Sequence, residues 1–241
     1  MKLKFIAALL ALACSLHPAV SQGVPAGSPG FFQGNSTAAV TFDANSLFID
    51  GQRVMIFSGE FHPWRLPVPQ LWSDVLQKMK AAGFNAASVY FNWALVEGTP
   101  GSLDWNYFRS LTDFYEVAKR VGIFIICRPG PYINGETAGG GFPGWLTNVN
   151  ATARTNATLF TNAWNAYMTQ FAQQTAPYQY PDGPVIAVQS ENEFDTQTLH
   201  RPYMILLENN LRANGITKVP LTHNDKNAGG QYSGGAGAVD L

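Results

Sequence analysis

The chain has 241 residues, 46% of them hydrophobic and 13% charged. That length holds one large domain or two small ones, with apolar material for a substantial core. The 15 basic residues nearly balance the 16 acidic ones, so composition points to no nucleic-acid partner, which would call for a clustered basic surface.

The first residues read as a targeting signal. MKLK is a basic start, FIAALLALACSL is apolar, and HPAVSQ supplies small residues before a cleavage point ahead of Gln22. A secretory leader over 1–21 follows, and with it a secreted protein. The apolar run is too short for a membrane helix, which takes about 20 residues, and no later segment approaches that length. No membrane partner is expected. Cys14 leaves with the leader, so Cys127 stands alone in IFIIC and reads as a small buried hydrophobe. Sequons at Asn35, Asn150 and Asn156 suit exposed loops of a secreted chain.

Residues 22–39 are rich in Gly, Pro and Ser and read as a flexible arm. Asp50-Gly51 between apolar runs predicts a hairpin. It leads into a buried strand over Val54–Gly59. PQLWSDVLQKMKAAG predicts a helix with Trp72, Val75, Leu76 and Met79 on one face and Gly83 as its stop. NAASVYFNW is the next strand. A helix follows over DWNYFRSLTDFYEVAKRVG, with Asp104 as N-cap, Phe108, Leu111 and Tyr115 in register, and Gly122 as the stop. IFIICRPGPY is a third strand. TLFTNAWNAYMTQFAQQ is helical, with Phe160, Trp164, Tyr167 and Phe171 in register. PVIAVQSENEF is the fourth strand. PYMILLENNLRANG is helical through Tyr203, Leu206, Leu207 and Leu211, with Gly215 as its stop. KVPLTHND is a fifth strand.

Apolar strands alternating with helices imply a parallel α/β sheet, either doubly wound or a (β/α)8 barrel. No glycine-rich phosphate motif opens a helix, which counts against a nucleotide-binding open sheet. Polar residues recur instead at strand C-termini: Glu60 and His62, Tyr90 and Asn92, Arg128 and Asn134, Asn192 and Glu193, His223 and Asn224. In a barrel those ends face one mouth, where active sites form. The expected architecture is therefore a TIM barrel spanning 40–241, incomplete, with about its first five strand-helix units. A barrel needs three more strands, so the chain reads as the N-terminal part of a longer catalytic domain.

SENEF carries the chemistry. A retaining glycosidase uses two carboxylates about 5–5.5 Å apart on either side of the scissile bond. Glu191 and Glu193 are neighbours on one strand end and do not naturally straddle a substrate. One of them, partly desolvated, could act as proton donor with its partner elsewhere. Alternatively the acids form an ion pair with Arg128 or another strand-end base. Charge placement alone leaves both readings open. Three glycines at 139–141 resemble a phosphate cradle, but no Lys or helix start follows. Trp145 is either a sugar platform or a loop-packing residue. No second histidine stands at metal-ligand spacing from His62, so no metal and no cofactor is expected, and Glu60 is expected to brace the mouth.

Four stretches in order, IFSGEFHPWRLP, SVYFNWALVEGTPG, CRPGPYINGETAGGGFPGWL and PVIAVQSENEF, resemble the β-galactosidases of glycoside hydrolase family 35, the large secreted fungal enzymes in particular. The resemblance runs from about residue 40 to 225. It implies a retaining hydrolase that removes terminal non-reducing β-D-galactose; the expected partners are β-galactoside oligosaccharides or polysaccharide side chains, and a monomer is expected. It implies Glu193 as the acid/base, and Tyr90, Asn134, Gly135, Glu136 and Asn192 as galactose-binding residues. Gly135 stands where the family usually has alanine. The family's nucleophile is a Glu on the seventh barrel strand, which this sequence does not reach. The alternative expectation is a truncated product that binds galactose without hydrolysing it.

Overall fold

A computed structural model describes residues 39–43, 46–194 and 201–224. The leader, most of the arm and the Asn35 sequon lie outside these residues.

The described chain opens with an antiparallel sheet of β1 (Val40–Phe42), β2 (Leu47–Ile49) and β3 (Gln52–Val54). Ile49 faces Gln52 across a two-residue turn whose Asp50 and Gly51 have φ of 50° and 73°. Two consecutive left-handed residues match the right-handed strand twist, as the Asp-Gly pair predicts.

The expected strand over Val54–Gly59 is displaced. Val54 closes the hairpin, and the barrel strand is β4 (Ser58–Glu60). Between them Met55 is 82% and Phe57 50% exposed. The Asn85 side chain explains the break. Its Oδ1 accepts the Phe57 N–H at 2.8 Å and its Nδ2 donates to the Met55 carbonyl at 2.7 Å, so these groups need no strand ladder.

Four parallel strands then follow: β5 (Ala86–Tyr90), β6 (Phe124–Gly130), β7 (Val185–Ser190) and β8 (Leu221–Thr222). The sheet order is β4-β5-β6-β7-β8, strictly sequential. A doubly wound sheet reverses order at a switch point; a barrel does not. All six residues of β7 are buried, which explains the apolar run from Val185 to Val188.

The outer layer is α1 (Trp72–Ala81), α3 (Leu111–Val121), α4 (Thr158–Thr175) and α5 (Arg201–Ala213), each packed on the next. Trp72 and Leu76 of α1 are fully buried. The α3 start differs from expectation. Ser110, not Asp104, is the N-cap, its hydroxyl accepting the Asp113 N–H at 3.2 Å. A cap of this kind is worth about 1 kcal/mol. Asp104 instead accepts the Asn106 N–H at 2.9 Å and pairs with Arg109, in a turn preceding the helix. Gly122 ends α3 at φ 73° as predicted. On α4, Phe160, Trp164, Tyr167 and Phe171 are all buried. Tyr167 Oη lies 3.2 Å from the Phe91 carbonyl and 3.1 Å from that of Pro129, tying this helix to the ends of β5 and β6. A short helix, α2 (Trp93–Val96), was not anticipated; the Asn92 side chain caps it by accepting the Leu95 N–H.

Candidate active site

Parallel register sets Tyr90 beside Arg128 and Gly130 beside Ser190, so the strand ends converge on one rim. The hub is the Asn192 side chain, itself only 2% exposed. Its Oδ1 accepts from Tyr90 Oη at 2.8 Å, Arg128 Nη2 at 2.8 Å and Asn224 Nδ2 at 3.3 Å. Three converging donors require an acceptor, which orients the amide and leaves its N–H2 for a ligand. Arg128 also covers the Tyr90 ring at 4.0 Å and donates to Glu60 Oε1 at 2.9 Å. Glu60 thus braces the mouth and takes the Arg128 pair weighed for SENEF, while Glu191 of SENEF pairs with a different base, Arg154, at 2.7 Å.

Glu191 and Glu193 part ways because both are left-handed, with φ of 61° and 43°. An extended i, i+2 pair would point one way; this turn separates them. Glu191 is fully buried. Its Oε2 accepts from Arg154 Nη2 at 2.7 Å, Arg154 Nε at 3.1 Å and the Asn192 N–H at 3.1 Å, and its Oε1 accepts from Tyr203 Oη at 2.5 Å. Burial pushes this carboxyl up, against the opposing pull of Arg154 and these hydrogen bonds. It is structural. Glu193 is exposed among the described residues, contrary to the expected partial desolvation. Its backbone N–H donates to Asn224 Oδ1 at 3.1 Å.

Burial raises the Tyr90 phenol to about 12; Arg128 opposes this, and the charges of Glu60, Glu136 and Glu193 add to it. Those three carboxylates therefore share the electrostatic surroundings of Tyr90. Beneath it, His62 Nδ1 accepts the Tyr90 N–H at 3.2 Å, and its ring stacks on Trp64 with centroids 5.5 Å apart.

Asn134, Gly135 and Glu136 are consecutive left-handed residues, at φ of 55°, 54° and 48°. Such strain persists where surroundings enforce it. Here Arg65 donates to the Gly135 carbonyl, stands 3.9 Å from the Glu136 carboxylate and stacks on Trp64 at 4.6 Å. An alanine Cβ at 135 would come no closer than 3.4 Å, to Ile133 Cδ1, so the space for the family's usual residue survives. Gly140 is different: a Cβ there would lie 1.9 Å from Tyr132 Cε2. The glycine run therefore makes room for Tyr132, whose ring faces the Arg154 guanidinium at 4.1 Å.

The structure thus joins Tyr90 and Asn192 directly. It places Glu193 on the adjoining turn and Asn134–Glu136 on the loop after β6. Sequence reading missed Arg154, Tyr203 and the part played by Asn224. Arg154 sits in ATARTNAT with no pattern around it, and Tyr203 reads as a core residue of α5. Trp145 packs, donating to the Glu97 carbonyl at 2.7 Å and meeting Trp93 edge-on. Cavities of about 510 and 570 Å³ lie along residues 138–166, away from the polar cluster, and contain neither Tyr90, Asn192 nor Glu193.

The family model for glycosyl hydrolases family 35 matches residues 46–239. The chain belongs to that family. It is 48% identical over 208 residues to a probable β-galactosidase A of Aspergillus fumigatus (strain CBS 144.89 / FGSC A1163 / CEA10), and 46% identical over 210 residues to a β-galactosidase of Aspergillus niger. In each case 84% of this chain is covered, and the chain spans 21% of the relative's length. Among solved structures it resembles the exo-β-1,4-mannosidase Op5Man5 of Opitutaceae bacterium strain TAV5, with a TM-score of 0.59 at 15% identity, over 77% of this chain and 34% of that one. The β-galactosidase of the psychrophile Marinomonas ef1 aligns with a TM-score of 0.52 at 14% identity, over 71% of this chain and 37% of that one. These likenesses support the glycosidase barrel as the fold of this family 35 chain.

Proposed function

We propose that the chain supplies the proton-donor side of a retaining β-galactosidase site. In this reading Glu193 is the acid/base, and Tyr90, Asn134, Gly135, Glu136 and Asn192 contact galactose. The observation that carries it is the three-donor clamp on Asn192 Oδ1, which aims an amide donor from the residue next to an exposed carboxylate. A sugar hydroxyl held there sits beside the proton donor. The nucleophile is assigned to a barrel strand other than the five described, because Glu60 is paired with Arg128, Glu191 is buried under Arg154, and Glu136 stands beside Arg65. The substrates are β-galactoside oligosaccharides or polysaccharide side chains.

The test is a graft. The residues of this chain that align with the A. fumigatus relative replace the matching span of that protein. The graft is expected to hydrolyse aryl β-galactosides with retained anomeric configuration and to leave β-mannosides intact, while the 241-residue chain assayed alone turns over neither. A folded graft with no galactosidase activity, or turnover by the chain alone, contradicts the reading.

Secretion belongs to the same proposal. Asn150 and Asn156 are exposed on the loop before α4, where glycans fit. Expression through a eukaryotic secretory route should yield a mature chain starting at Gln22 with glycan mass on both. An N-terminus at Met1, or both sites bare by peptide mass mapping, would refute it.

A further inference from the structure

We propose that Arg154 is a positioning residue for the Glu193 carboxylate, acting with Asn224 on the one peptide unit that joins Asn192 to Glu193. The inference rests on the acid/base reading of Glu193. The carbonyl oxygen and the N–H of that peptide are held by different elements. Arg154 Nη2, from the loop before α4, donates to the Asn192 carbonyl at 2.6 Å. Asn224 Oδ1, just beyond β8, accepts the Glu193 N–H at 3.1 Å. With both ends pinned, the plane of the peptide is set.

The need for pinning is visible in the backbone. Glu193 sits at φ 43°, a left-handed conformation unfavourable for a residue with a Cβ. Released, the turn relaxes toward negative φ, and the Cα–Cβ bond swings away with its carboxylate. Arg154 is itself immobilised. Two of its nitrogens bind Glu191 Oε2, and its guanidinium faces the Tyr132 ring at 4.1 Å and the Phe194 ring at 4.8 Å. With Glu191 buried and Arg154 partly exposed, the desolvation cost of the carboxylate offsets much of the attraction in this pair, so stability alone does not account for it. A hydrophobic pair could not hold a carbonyl oxygen. Orientation of the turn is the role that distinguishes an Arg154–Glu191 pair from apolar filler, and Tyr203 completes it by binding the other oxygen of Glu191.

The experiment uses the graft described above. Arg154→Met alone would strand a buried carboxylate, so the decisive variant is Arg154→Met with Glu191→Gln, which removes both charges. It is expected to fold, with lactose kcat lowered about 10- to 100-fold and KM little changed, the scale of an acid displaced by about 1 Å. For a dinitrophenyl β-galactoside, whose leaving group needs no proton, kcat/KM, which reports the first step alone, should fall by no more than about threefold. Hydrogen exchange over 189–194 should accelerate. Equal losses in kcat/KM on the two substrates, or lactose turnover kept within about twofold, overturns the proposal. If the double variant does not fold, Asn224→Ala releases the same peptide from its N–H side, and the same substrate comparison decides. A parent graft that is folded but inactive, or whose Glu193→Gln variant ignores leaving-group quality, defeats the acid/base reading and this inference with it.

Discussion

Glu193→Gln in the graft should lower lactose turnover by about 10³-fold, within the 10²–10⁴ range of general acid catalysis. Glutamine keeps the shape of the side chain and can donate a hydrogen bond, but it cannot deliver a proton to a departing sugar oxygen. The glucose of lactose is a poor alkoxide leaving group and needs that proton. A dinitrophenyl group does not, so the first step with that substrate should proceed nearly unhindered. The second step then suffers, because in a retaining enzyme the same residue returns as the base that activates water. A glycosyl-enzyme should accumulate and KM should drop. Azide needs no base, so adding it should restore turnover and yield β-galactosyl azide. Tyr90 and Asn192 are untouched by the change, so galactose should still inhibit at parent-like concentrations. Equal losses on lactose and on the activated galactoside, with no response to azide, would place the acid elsewhere.

The barrel was legible because its signals are local. Four aromatic residues at helical spacing mark α4, an unbroken apolar run marks β7, and a glycine stops α3 at φ 73°. The errors lie where a distant side chain overrides local pattern. Val54–Gly59 reads as one strand until Asn85 takes over its backbone groups. Asp104 reads as a cap until its contacts with Asn106 and Arg109 give it another use. The site follows the same rule. Tyr90, Asn192 and Glu193 stand at strand ends, where topology alone brings polar groups together, and the roles proposed for them rest on the four motifs. Charge placement alone could not divide labour between Glu191 and Glu193; only the family resemblance favoured Glu193. That division depends on two left-handed residues and on Arg154, 37 positions away in the chain. Long-range hydrogen bonds of this kind have no period to read.

Lowering the pH from 6.5 toward 4 should destabilise the protein by up to about 3 kcal/mol through His62 alone. This residue is 7% exposed, and its Nδ1 accepts the Tyr90 N–H, so the fold requires it neutral. Burial lowers its pKa most, and Arg65 and Arg128 add to the effect against the weaker pull of Glu136 and a backbone hydrogen bond at Phe61; together they bring it from 6.5 to about 4. On acidification the unfolded chain therefore takes up the proton first. The stability from neutral His62 is full above 6.5 and is lost as pH falls through the interval to about 4. That gap, at about 1.4 kcal/mol per pH unit, sets the ceiling. His62→Asn offers a carboxamide oxygen where Nδ1 stood and cannot titrate. Chemical denaturation of both proteins at several pH values should give a flatter profile for the variant, and their difference isolates His62 because every other titrating group is shared. Superimposable profiles would refute the assignment. Below that interval, protonation adds a cation beside Arg65 and Arg128 while removing the acceptor that holds the Tyr90 backbone. The Tyr90 backbone should therefore lose this mooring as His62 takes up its proton.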